Sequence, residues 1–137
     1  MSCPACGGDR VAFAVPTSLQ PYTPDPDESS AATLCTTCLR VEAVDVGVDD
    51  TDDGPVAVDW EPLPTGEAGV ATALLLGLLD SLALRRADVT ALVDHVEATG
   101  GDVFLTLDRL VTLSRTGEVE PHVDLERRTA QLQSLLD

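Results

Sequence analysis

The sequence contains no lysine, no asparagine and no isoleucine, and aromatic residues make up only 3% of it. A core so poor in aromatics must be built from Leu, Val and Ala, a composition that favours Leu-rich helices. Basic residues are scarce as well: 8 arginines stand against 24 Asp and Glu, a formal net charge of −16. Long hydrophobic runs are missing too. The most apolar uncharged stretch, Ala68 to Leu79, falls short of the roughly 20 apolar residues a membrane-spanning helix needs. Extending it to Leu84 would bury Asp80, so no membrane span is expected. There is no room before Cys3 for a charged and apolar leader, and a cytoplasmic protein is expected.

The missing cations also describe a setting. In ordinary saline, a charge of this size repels itself strongly. At molar salt the screening length shrinks to about 3 Å, and a carboxylate-rich surface becomes tolerable. The acidity is spread along the whole chain. Together with the absence of Lys, Asn and Ile, it reads as a salt-in, haloarchaeal cytoplasm served by a GC-rich genome, the alternative being an acidic mesophilic protein.

Only four cysteines are present, Cys3, Cys6, Cys35 and Cys38. They form two Cys-x-x-Cys pairs, and each spacing lets two thiolates bend onto one ion. Together they complete a four-sulfur tetrahedral shell for one structural Zn2+. Such a shell leaves no open position for a catalytic water. A redox dithiol normally follows a core strand and opens a helix, whereas Cys3 has no strand before it and Gly7-Gly8 soon after. A disulfide framework would need an oxidising compartment. Redox, disulfide and iron–sulfur uses remain the alternatives to zinc. Gly7 suits the tight turn that brings backbone amides to the sulfurs. The second pair is followed by Leu39, so its geometry is expected to differ slightly.

The segments around the pairs read as a ribbon. Val11 to Val15 is short, apolar and β-branched, and Pro16 stops it. Residues 17 to 30 carry Pro21, Pro24, Pro26 and several acids, and should loop into solvent. Ala31 to Leu34 leads into Cys35 as a second strand, and Leu39 to Val46 alternates with period two as a third. The acidic run Asp49 to Asp53 is read as a solvated turn and not a calcium loop, because it lacks alternating ligands and a distal Glu. Val56 to Asp59 is a possible fourth strand. Trp60 is expected to pack where ribbon meets helices, with the boundary near Pro62-Leu63-Pro64.

Beyond that boundary the periodicity becomes helical. Residues 67 to 84 are predicted as one helix whose leucines spread over about 200° of the wheel, twice the stripe of a surface helix. It must be covered on more than one side, as a central helix or a dimer contact. A second helix is expected with Asp88 as N-cap, Val89, Leu92, Val93 and Val96 on its buried face, and Gly100 as its stop. A third opens at Asp102, carries Phe104, Leu107, Leu110, Val111 and Ser114, and ends at Gly117. The last runs from about Val123 to Leu136, with a stripe of Leu125, Thr129, Leu132 and Leu136. Short connections imply antiparallel neighbours in a small bundle. The fold class is thus α+β: a zinc-ribbon domain with an acidic linker over residues 1–64, and a bundle of about four helices over 65–137.

His95 and His122 have no Ser or Cys nucleophile near them in sequence, and surface roles are expected for both. Arg85-Arg86 and Arg127-Arg128 either satisfy local carbonyls and acids or touch a partner's acidic or phosphate groups. No catalytic constellation, organic cofactor or small-molecule substrate emerges.

The Cys3-Pro4-x-Cys6-Gly7 and Cys35-x-x-Cys38 pairs, the Arg-only acidic composition, Gly77 to Leu84 and Asp102 to Leu110 resemble an uncharacterised haloarchaeal family of small acidic zinc-ribbon proteins. The resemblance covers essentially the full chain and implies no assigned activity. Two functional readings follow from the residues. One is a non-enzymatic interaction module that engages a protein partner or forms a homodimer. The other is a nucleic-acid-associated ribbon acting in transcription or translation. Residues 1–64 weigh against the second, since they hold twelve acids and only Arg10 and Arg40 as bases.

Overall fold

A computed structural model of the chain describes residues 3–22, 31–43, 58 and 60–136. Three antiparallel strands come first: β1 (Arg10–Ala14), β2 (Ala31–Cys35) and β3 (Val41–Ala43), in the order β1-β2-β3. Four helices follow: α1 (Glu67–Gly77), α2 (Arg86–Ala98), α3 (Val103–Thr116) and α4 (Leu125–Leu136). The fold is α+β, with the ribbon strands ahead of the helices, as the periodicities imply. The outer part of the third strand (residues 44–46), the acidic turn and most of the possible fourth strand lie outside the described residues.

The strand register sets the sheet's buried face. Val11 pairs with Leu34, Phe13 with Ala32, and Leu34 with Val41. Residues directly opposite in an antiparallel pair share a face, so Phe13, Ala32, Leu34 and Val41 form one apolar surface, and all four are buried. The segment after β1 departs from expectation. Thr17–Tyr22 forms a 3-10 turn with Leu19 turned inward, while the rest of the expected loop, residues 23–30, lies outside the described residues. Leu19 is the cause: Pro16 accepts its amide at 2.8 Å, and its side chain sinks to 1% exposure in the core.

α1 occupies the centre of the molecule. Every residue from Ala68 to Leu76 is buried, which is what an all-round apolar helix requires. It packs against α2 on one side and β3 on another. The contact with β3 is close at Gly77, where a Cβ would come within 2.9 Å of Val41 Cβ. The predicted single helix 67–84 is interrupted at this glycine, which is a poor helix former. Leu78 and Ser81 donate to carbonyls three residues back, and Leu79–Ser81 forms a 3-10 turn.

α2 starts earlier than expected. Asp88 lies inside its first turn, not at its N-cap, and pairs with Arg85 at 2.6 Å. The buried face is the expected one, Val89, Leu92, Val93 and Val96. α3 has both predicted caps: the Asp102 carboxylate accepts from the Leu105 amide at 3.0 Å, and Gly117 closes the helix with φ 86°. Its buried stripe is rotated slightly, to Val103, Thr106, Leu107, Leu110 and Val111, leaving Phe104 half-buried. Arg115 reaches across to Glu126 at 2.9 Å and ties α3 to α4.

One hydrophobic cluster runs from Phe13 and Leu34 through α1 to Leu110 and Leu132. Trp60 is half-buried against it. The packing therefore continues across the point where strands give way to helices.

Candidate metal centre

The first pair stands at the N-terminal edge of the sheet, just before β1. The second begins on the last residue of β2 and turns toward β3. Because β1 and β2 are antiparallel with Arg10 opposite Cys35, the two turns meet at the same end of the ribbon. The four sulfurs all lie within 4.8 Å of one another. Cys3 Sγ is 3.8 Å from Cys38 Sγ, and Cys6 Sγ is 3.5 Å from Cys35 Sγ. A tetrahedral thiolate shell with metal–sulfur bonds of about 2.3 Å places its sulfurs about 3.8 Å apart. A disulfide would need about 2.05 Å, and all four cysteines are free. The donor set and its spacing fit one tetrahedral ion held by Cys3, Cys6, Cys35 and Cys38.

The two turns are built alike, residue for residue. In the first, Cys3 donates its amide to Gly8 O at 2.7 Å, and Gly7 donates to Cys3 O at 2.8 Å. In the second, Cys35 donates to Arg40 O and Leu39 donates to Cys35 O, both at 2.9 Å. Sulfur contacts repeat in the same places. The Cys6 and Ala5 amides face Cys3 Sγ, and Gly8 N lies 3.4 Å from Cys6 Sγ. Cys38 N and Thr37 N lie 3.3 and 3.4 Å from Cys35 Sγ, and the Arg40 amide faces Cys38 Sγ. Amides aimed at sulfur stabilise thiolates and orient them toward a cation.

Leu39 corrects the expectation that the second turn would differ. It adopts φ 67°, beside φ 79° at Gly7. A left-handed leucine costs roughly 1–2 kcal/mol. Its side chain, 1% exposed, joins the hydrophobic core, and burying a leucine contributes about 1.5–3 kcal/mol. Burial thus covers the strain, and the second knuckle doubles as a core anchor.

Burial is uneven around the cage. Cys3, Cys35 and Cys38 are buried, while Cys6 is exposed. The Cys6 amide leads in drawing the Cys3 thiol down to about 7. Desolvation leads in pushing Cys38 up to about 12. Thiolate ligation of a cation would require Cys38 to give up its proton against that shift.

Contacts from far along the chain complete the second knuckle. Glu120 donates its amide to Thr37 O at 2.7 Å, and His122 donates its amide to Cys38 O at 2.9 Å. His122 Nδ1 lies 2.8 Å from the same Cys38 carbonyl. A carbonyl can only accept, so this ring nitrogen carries the proton. The surface role expected for His122 gives way to a positioning role: the α3–α4 connection clamps the carbonyl of a candidate metal ligand. No local signal in the sequence points to this. His95 is likewise engaged, its Nε2 lying 2.8 Å from Glu67 Oε2 and bridging α2 to α1. The arginine pairs divide. Arg85 serves Asp88, and Arg128 donates to Gln131 at 2.9 Å. Among the described residues, the Arg86 and Arg127 side chains have no hydrogen-bond or ion-pair partner.

No helix among the described residues is long and apolar enough to cross a membrane. Neither the curated proteins nor the solved structures contain a match to this sequence. The sequence model of one family does match, over residues 2–136: the chain belongs to a family of unknown function, DUF6276.

Proposed function

We propose that the protein is a non-enzymatic interaction module whose cysteine cage holds one structural zinc ion. The observation that carries this reading is the closed donor shell: four sulfurs at tetrahedral spacing, with backbone amides directed at them from both knuckles. Such a shell has no vacant coordination site for water or substrate, and its chemical contribution is to hold chain segments together. Zinc suits all-thiolate tetrahedral sites, and iron is the competing ion. Arg10, one of the two bases of the ribbon half, lies 3.7 Å from Glu42, which supports a protein partner over nucleic acid. The acidic, Lys-free composition fits a haloarchaeal cytoplasm at molar salt.

The test is affinity purification of the tagged protein from its native lysate in high salt, beside a Cys3→Ser/Cys6→Ser form. Elemental analysis should find one zinc per wild-type chain and none in the variant. A partner should accompany the wild type alone. A variant that kept zinc and every partner would overturn the reading, as would iron in the wild-type cage or retention of nucleic acid at molar KCl.

A further inference from the structure

The two arginine pairs, more than forty residues apart in sequence, are brought together by the fold. An open groove of about 630 Å³ lies between the turn that follows α1 and the outer face of α4, and Arg86, Arg127 and Arg128 line it. Ala83 and Ala130, both exposed, and the half-buried Leu135 contribute apolar surface to the same groove, which the buried Leu82 also lines. Among the described residues no acidic one lines it, although acids outnumber bases threefold in the chain. Leu84, in the same turn as Leu82 and Ala83, is 88% exposed. The groove thus pairs guanidinium groups that no acid among the described residues neutralises with small and partly exposed aliphatic side chains, and Leu84 stands exposed beside it.

We infer that this groove is a docking site for an acidic, Leu-bearing segment of a partner protein. The inference names the partner surface of the interaction module proposed above and rests on that reading. Charge complementarity chooses the occupant. Arg presents a planar fork that pairs with carboxylates in two-point fashion, and here it stands beside a floor suited to aliphatic anchors. A second copy of this chain docked groove to groove would set arginines against arginines, since a two-fold interface brings the same patch to both sides. Nucleic acid needs an extended basic track, whereas three arginines on a chain of net charge −16 form a local patch. An isolated phosphate would leave Leu84 and the exposed part of Leu135 uncovered.

The probe is a labelled amphipathic peptide of about 15 residues, with Leu at i, i+3, i+4 and i+7 and Glu between them. Its binding to the full-length, metal-loaded protein is followed by fluorescence anisotropy in about 1 M KCl, where only contact-distance charge pairs survive screening. The peptide should bind, and Arg86→Glu/Arg127→Glu should weaken it about tenfold or more. Leu84→Asp should weaken it too, whereas Arg109→Glu, outside the groove, should leave it unchanged. All these side chains are exposed, so unaltered thermal melts and zinc content establish that the variants fold. No binding by the wild type would overturn the proposal. So would equal binding of a Lys-for-Glu peptide, indifference to the Arg86/Arg127 reversal, or displacement by single-stranded DNA or pyrophosphate. Zinc content and the native partner, measured on the same variants, separate the two ideas. If Arg86→Glu/Arg127→Glu keeps both, the groove fails alone. If the wild type has neither, the module reading fails.

Discussion

Between Cys3 and Ala43, the buried face of the sheet is made of Phe13, Ala32, Leu34 and Val41, supported by Val15, Leu19 and Leu39. α1 by itself buries every residue from Ala68 to Leu76, and α2 and α3 each add a full apolar stripe. The strands have little apolar surface to hide and close around four sulfurs. The helices have ample apolar surface and close around one another. Small β units commonly need a metal where a helical unit of similar size does not. Here the two solutions share a seam: Gly77 against Val41, Leu39 in the common core, and His122 on the Cys38 carbonyl.

Removing the metal is the strongest way to break the comparison. Cage binding of the zinc type is worth on the order of 10 kcal/mol or more, so a chelator or Cys35→Ser should unfold β1 to β3. Amide exchange should show those strands losing protection while the interiors of α2 and α3 retain it. If all helices lost protection with them, metal and core would be one cooperative unit and the contrast would fall. Next in size is Leu75→Ala at the middle of α1, expected to cost about 2–5 kcal/mol in denaturant unfolding. Because α1 touches both α2 and β3, zinc release should become faster as well. An unchanged release rate would mean the sheet does not draw on the helices.

Leu39→Gly sharpens the comparison at the seam. It relieves a left-handed leucine, a gain of roughly 1–2 kcal/mol, and removes a buried one, a loss of about 2–5 kcal/mol. The net expectation is a destabilisation of about 1–3 kcal/mol with zinc stoichiometry intact, read from denaturant curves and elemental analysis. A stabilised variant would show that this side chain is not the anchor described above. The smallest effect belongs to His122→Ala. It leaves the backbone bond to Cys38 O in place and removes the ring's bond, worth about 1 kcal/mol. Zinc should leave the cage a few-fold faster in a competition with chelator. An identical rate would confine the contact to a passive role.

What could be read from the sequence was local. Two-residue gaps between cysteines mark the cage, Asp102 and Gly117 mark the ends of α3, and the width of the leucine arc shows that α1 is enclosed. Each of these signals lies within one or two turns of chain. Leu39 misled because its left-handed φ is unfavourable on its own and is held by tertiary burial. Asp88 misled because a carboxylate favours the whole first turn of a helix, so its presence does not single out the capping position. Leu19 was hidden among prolines and acids that mark a loop by composition. His122, the His95–Glu67 pair and the arginine groove depend on segments that meet only after folding, and no spacing rule reaches that far.

The bond from His122 to Cys38 spans 84 positions of sequence, which has a meaning in time as well as in space. A chain made from its N-terminus exposes both cysteine pairs early, when domains begin to fold as they emerge. Cys38 acquires its last carbonyl partner only after α3 and the start of the next connection have left the ribosome. A metal taken up once both cysteine pairs had emerged would therefore be held before the site was complete, because the ring that braces Cys38 belongs to a segment made 84 positions later.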